Sequence, residues 1–188
     1  MSVRSVITDA YRSALPTLLV SAAGGLLAGA VLGGMEAQLE AIQGLLVMVP
    51  AFLAIRGSVY GSMGARLSSG LHQGLFEPTF APDDRLVSAV VAALLNGLAA
   101  SLFAAVLTYG LLTVLGRSVA PLWRLAVVAL VGGGLAGVAL TAVVVVVAVL
   151  GFRRGLNPDD IVGPAATTAG DVFGMLALLV AAELVLAL

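Results

Sequence analysis

Asp171 is the residue of this sequence best placed to do chemistry. It lies about seven residues into the apolar run that starts at Pro164, roughly 10 Å along a helix at 1.5 Å per residue. An ionised carboxylate at such a depth of a bilayer costs roughly 2.5–3.5 kcal/mol on insertion scales, so it faces a cavity, a partner or an ion. Thr167 precedes it by one turn and Gly174 follows by nearly one, on one helical face. Thr168, Ala169 and Gly170 between them are small and leave room for a hydrated ion. Magnesium sheds its water reluctantly and is typically held through it by one or two carboxylates. Calcium or manganese fits the same oxygen-lined site nearly as well. The competing reading sets Asp171 near the headgroups or pairs it with Arg56 or Arg66.

Two other segments carry polar groups in positions that matter. Pro50 is followed by Arg56, Gly57, Ser58, Gly61, Ser62 and Gly64. A proline removes one helical hydrogen bond and the glycines weaken the helix further, so an interruption after Pro50 is expected. Carbonyls freed at membrane depth are tolerated only inside protein or a wet cavity, where they can act as oxygen ligands, with Ser58 and Ser62 adding hydroxyls. A kinked helix packed on its neighbours accounts for the same residues. Asn157-Pro158-Asp159-Asp160 reads as a helix start, with a cap, a proline in the first position and acids in the first turn; Asp160 with Asp159 could equally form an acidic entrance. His72, the single histidine, belongs to a solvated loop. Asn96 suits a hydrogen bond to a neighbouring helix, and Glu183 suits the outer interface.

These residues must be carried by helices in lipid. The 188 residues are 61% hydrophobic and 10% charged, against about 25% charged in an ordinary soluble domain. Runs of about 20 apolar residues cross the hydrocarbon layer, and five are present: 15–34, 39–70 with its interruption, 86–115, 121–150 and 164–188. The expected fold is all-α integral membrane, one transmembrane domain with no soluble regulatory domain. Net charge is −1, which gives no case for nucleic acid. Without cysteine there are no disulfides or thiolate metal sites. With one histidine and one deep carboxylate, neither a zinc nor an aspartyl intramembrane enzyme is expected. No nucleotide site or organic cofactor is visible.

Basic residues favour the cytoplasmic side. With the N-terminus inside, Arg4, Arg12, Arg56, Arg66, Arg85, Arg153 and Arg154 lie at or near that boundary, and Arg117 and Arg124 lie outside. The expected location is the plasma membrane, with the C-terminus outside and two copies pairing in parallel. Ser21, Gly25, Gly29 and Gly33 recur at four-residue spacing, and Gly133 with Gly137 and Gly170 with Gly174 are similar pairs. Such stripes allow close helix contact, within one subunit or between two.

The run PAFLAIRGSVYGSMGARLSSG at 50–70 resembles the hallmark after the second span of the MgtE and solute carrier family 41 divalent cation transporters. The run NPDDIVGPAATTAGDVFG at 157–174 resembles that family's fifth-span hallmark. The resemblance is closer to solute carrier family 41 than to bacterial MgtE. It implies a cation pore at a two-fold axis, lined by the second and fifth helices of a parallel homodimer, with the chain as one half. It implies that Asp171 is a principal ion-binding residue, and that Gly57-Ser58 stands where the family has glycine-asparagine. Asp160 stands where the family's entry often has asparagine. The expected function is divalent cation transport, with magnesium as the transported ion and manganese, calcium or cobalt as alternatives. The partners expected are a second copy, the lipid bilayer and the cation. The alternative function is a non-transporting membrane scaffold, or a partner half of a hetero-oligomeric transporter.

Overall fold

The computed structural model describes residues 3–81 and 83–188, without the side chains of residues 3–10 and 12–14. Arg4 and Arg12, used above for orientation, and Pro82 therefore lie outside the described side chains. Every regular element among the described residues is helical: α1 (Val3–Gly33), the short α2 (Glu36–Ala41), α3 (Leu45–His72), α4 (Asp84–Val114), α5 (Leu122–Arg153) and α6 (Pro158–Leu186). All but α2 are long and apolar enough to cross a membrane. The five expected spans are α1, α3, α4, α5 and α6.

Local sequence sets where these helices begin and end. The Asp83 carboxylate accepts from the Arg85 backbone N–H at 2.9 Å, capping α4. Asn157 Oδ1 accepts from the Asp159 N–H at 3.2 Å, with Pro158 in the first helical position of α6. Helices α3, α4 and α5 each stop at a glycine with positive φ: Gly74, Gly116 and Gly155. In each case the next residue's N–H reaches back to a carbonyl five residues earlier, as Leu75 does to Gly70 at 2.9 Å. An L side chain is strained at that φ, so glycine ends these helices cleanly.

One expectation fails here. Helix α3 does not break after Pro50; it runs unbroken from Leu45 to His72. Pro50 lies little more than one turn from the start, where its missing N–H removes only the bond to the Leu46 carbonyl. Of the glycines that follow, Gly57 packs on Thr167 of α6 and Gly64 on Val162 of α6 and Val144 of α5, while Gly61 faces open space.

Helix α6 is the hub, packed against α5, α3, α1 and the short α2. Helix α5 also packs on α4 and α3, and α3 packs on α4. Glycines set the close approaches. A Cβ on Gly64 would strike Val162, one on Gly151 would meet Ile161 at 2.5 Å, and one on Gly24 would strike Thr168. The Ser21 hydroxyl hydrogen-bonds that of Thr168 at 3.0 Å, tying α1 to α6. The rest of the Ser21 stripe turns away: open space surrounds Gly25, Gly29 and Gly33, where a side chain would go. Gly133, Gly137, Gly170 and Gly174 instead pack within the subunit, against α3 or α4 side chains.

Tyr60 is fully buried, its hydroxyl lodged against Gly97 and Gly137 without a hydrogen-bond partner among the described residues. A buried unsatisfied hydroxyl costs about 1–3 kcal/mol. Tyr60→Phe is therefore expected to hold or raise the melting temperature of the detergent-solubilised protein. Gly64→Val, which overpacks the α3–α6 contact, is expected to lower stability by about 1–3 kcal/mol.

Candidate ion site at the seam of α3 and α6

Helices α3 and α6 run antiparallel and meet through glycine. A Cβ on Gly170 would lie 3.3 Å from Arg56 Cβ and 3.8 Å from the Gly57 backbone N, and one on Gly174 would lie 2.9 Å from Leu53 Cδ2. A Cβ on Gly57 would lie 3.8 Å from Thr167 Oγ1. The sequence pairs Gly57 with Thr167 across this seam because neither helix carries bulk there. The Thr167 hydroxyl, exposed, donates to the Gly163 carbonyl one turn earlier at 3.1 Å.

Asp171 is partly buried on α6. At about 100° per residue it falls about 60° from Gly174, which faces α3, and about 60° from Thr168, which faces α1. Its carboxylate thus lies on the strip of α6 between its two neighbours, with Thr167 about 40° away on the same strip. Because α6 begins at Pro158, Asp171 is about 20 Å from the helix start, deeper than a count from Pro164 suggests. It is level with Arg56 and Gly57, since Gly170 abuts them.

Other expected site residues lie elsewhere. Ser58 is exposed, about 100° around α3 from Gly57. Ser62 is exposed about 140° from Gly57; its hydroxyl donates to the Val59 carbonyl at 2.8 Å, and it lines a cavity of about 60 Å³ with Asn96 between α3 and α4. Asp160 is exposed in the first turn of α6, about 16 Å along the axis from Asp171. Among the described residues no three His, Cys, Asp or Glu side chains are grouped as metal ligands. One chain therefore supplies Asp171, Thr167 and Gly57 as neighbours on one seam, and does not bring Ser62 or Asp160 to it.

Arg56 is the residue that sequence reasoning misplaced. Counted as a boundary residue, it is instead fully buried near the middle of α3. Its guanidinium donates to the Gly133 carbonyl of α5 at 3.0 Å, to the Gly97 carbonyl of α4 at 3.2 Å and to the Ser101 hydroxyl. It also stacks 4.3 Å from the Phe52 ring centroid. These partners are neutral, so Arg56 is not locked to Asp171: the charge points into α4 and α5, and only its stem touches α6. Ser101 in turn donates to the Gly97 carbonyl at 2.6 Å. The sequence signal was available: Arg56 lies about 11 residues into a continuous apolar helix, too far to reach the headgroups at either end.

Five apolar membrane-spanning helices joined by short connections define a polytopic integral membrane protein. The MgtE family profile, described as a divalent cation transporter, matches residues 49–181, which is most of α3 through α6, and the chain belongs to that family. It is a family of transporters, not of enzymes. No curated protein sequence matches the chain.

The network predicts a difference between two substitutions. Arg56→Ala leaves a cavity joining three helices and is expected to cost about 3–5 kcal/mol. Arg56→Met keeps the volume and leaves Ser101 bonded to Gly97, so its cost is expected to be less than half of that. Thermal unfolding in detergent checks the pair.

Proposed function

We propose that the chain conducts a divalent cation, magnesium first, along the strip of α6 that carries Thr167 and Asp171, with Gly57 of α3 beside it. Membership of the MgtE family supports the divalent cation as cargo. The single observation that carries the site is a mid-span carboxylate that no arginine neutralises among the described side chains: Arg56, level with it, directs its charge to α4 and α5. Arg66 lies nine residues beyond Gly57, about 13 Å further along α3. A carboxylate left in this way at depth is stabilised by an ion or by water.

The pathway is completed by a second, parallel copy, so that two Asp171 carboxylates flank one hydrated ion. One carboxylate with one threonine is a poor site for a dication, whereas two carboxylates acting through the ion's water suit magnesium. The open faces at Gly25, Gly29 and Gly33 support a further close contact outside the subunit. Manganese, calcium and cobalt remain alternative cargo. Among described side chains, with Arg56 removed from the count, Arg66, Arg85, Arg153 and Arg154 lie toward one end and Arg117 and Arg124 toward the other. Four against two supports a cytoplasmic N-terminus in the plasma membrane. A dication gains about 4.6 kcal/mol per 100 mV of potential, enough to drive entry without a nucleotide.

In proteoliposomes Asp171→Asn is expected to lower magnesium flux by about tenfold or more, a loss of about 1.4 kcal/mol or more in conducting the ion. Asp160→Asn is expected to change it by less than about threefold, because Asp160 is solvated and a long way down the helix. Equal flux in wild type and Asp171→Asn, with both proteins folded, removes Asp171 from the mechanism. Flux absent from the wild type as well favours the scaffold or partner-half reading.

A further inference from the structure

We infer that the groove between the C-terminal half of α3 and the start of α4 is a binding site for one anionic phospholipid. A cavity of about 510 Å³ opens there, with Arg66, Arg85, Asp84 and Ser88 at its polar end and Leu67 and Phe76 among its apolar walls. Arg66 is about six residues from the end of α3 and Arg85 is in the first turn of α4. Both therefore lie at the depth where lipid phosphates sit. Arg85 gives one N–H to the Leu75 carbonyl at 3.0 Å, one of the five donors a guanidinium carries. Asp84 offsets one of the two arginines, so the cavity's side chains sum to +1, and the positive end of the α4 dipole adds to that.

The apolar part of the groove identifies the ligand as a lipid rather than a free anion. Leu67, Phe76, Ala89 and Ala92 make most of this cavity's wall apolar, whereas the smaller pocket of about 60 Å³ beyond Arg66, lined by Ser62 and Asn96, is polar and lies outside the acyl path. From Arg85 to Ala92 the groove runs about 10 Å along α4, most of the depth of one leaflet, which is about 15 Å. A phosphate between two arginines with an acyl chain laid along that wall satisfies both ends at once. A free phosphate would leave the wall bare. A zwitterionic lipid would place its own cation beside the arginines. The groove is about 180° around α3 from Gly57, so occupation leaves the seam with α6 untouched.

Native mass spectrometry of the detergent-purified protein tests this, with equal amounts of phosphatidylglycerol and phosphatidylcholine bearing the same acyl chains. Wild type is expected to retain phosphatidylglycerol in about tenfold preference, in keeping with two arginines acting near a membrane surface. Arg66→Gln with Arg85→Gln is expected to abolish the preference, and Arg66→Lys with Arg85→Lys to keep most of it. Ala92→Trp, which fills the apolar wall while both arginines stay, is expected to lower phosphatidylglycerol retention, so the test survives a glutamine pair that fails to fold. Equal retention of the two lipids by wild type, or an undiminished preference in the glutamine pair, overturns the site. So does competition by glycerol phosphate at the lipid's own concentration, which marks a plain anion site. Phosphatidylglycerol retained only by monomers overturns it too, because the groove is then filled by a second copy.

Discussion

The structure depends on the close approach of α3 and α6. Gly57, Gly170 and Gly174 remove the side chains that would hold the two backbones apart, so the helices pack almost backbone to backbone at mid-span. In lipid such contact is a main source of helix association, since apolar side chains gain little by leaving one oily environment for another. The contact fixes the height of Thr167 and Asp171 relative to α3.

The seam holds because α3 is anchored from behind. Arg56 reaches carbonyls on two other helices, so one side chain ties α3 to α4 and α5 while its stem rests on Gly170. A buried guanidinium is expensive unless its donors are met. Helical carbonyls and Ser101 meet those of its two terminal nitrogens without introducing a carboxylate, while Nε has no partner among the described residues and the Phe52 ring lies against the guanidinium. Had an acid performed this role, the bundle would hold a neutral ion pair and Asp171 would gain no electrostatic distinction. Neutral partners keep the positive charge turned toward α4 and α5, and keep the negative charge available on the strip facing away from them.

Much of this was legible in the sequence because lipid imposes simple rules. Five apolar runs gave five helices, Asn157-Pro158 and Asp83 marked helix starts, and Asp171 stood out as an acid at depth. The errors came where tertiary packing overrides local tendency. Pro50 and the glycines after it predicted a break, yet Pro50 lies so early in α3 that one lost hydrogen bond is absorbed, and Gly57 and Gly64 serve contacts with α6 and α5. Arg56 was assigned to a boundary because arginines usually reside there; only its three acceptors, distant in sequence, make the interior tolerable. Ser62 shares a helix with Gly57 and not a face, and a list of polar residues cannot rank them without the helical angle. Within the Ser21 stripe the drift of 3.6 residues per turn moves Gly25, Gly29 and Gly33 off α6, while Gly24 takes the contact.

The seam is also unequal along its length, and that inequality constrains any mechanism that uses Asp171. On the side of the α6 N-terminus the strip presents the exposed Thr167 and partly buried Gly163. Toward the α6 C-terminus, Met175 and Leu178 are buried with Met48, Val49 and Phe52 of α3 in one apolar cluster. A hydrated dication can approach along the first stretch, because hydroxyls and carbonyls replace lost water contacts. It cannot enter the second, because thioether and aliphatic groups supply no such oxygen and a narrow apolar passage dewets. If Asp171 holds the ion, the conformation described is open toward one side of the membrane and sealed toward the other. Conduction then requires Met175 and Leu178 to part from α3, or the path to leave the subunit above Asp171 and continue along the surface shared with a partner. In both cases the Gly57 and Gly170 contacts can persist, since they lie level with the carboxylate or on the open side of it, whereas the Gly174 contact with Leu53 and Phe52 belongs to the apolar layer.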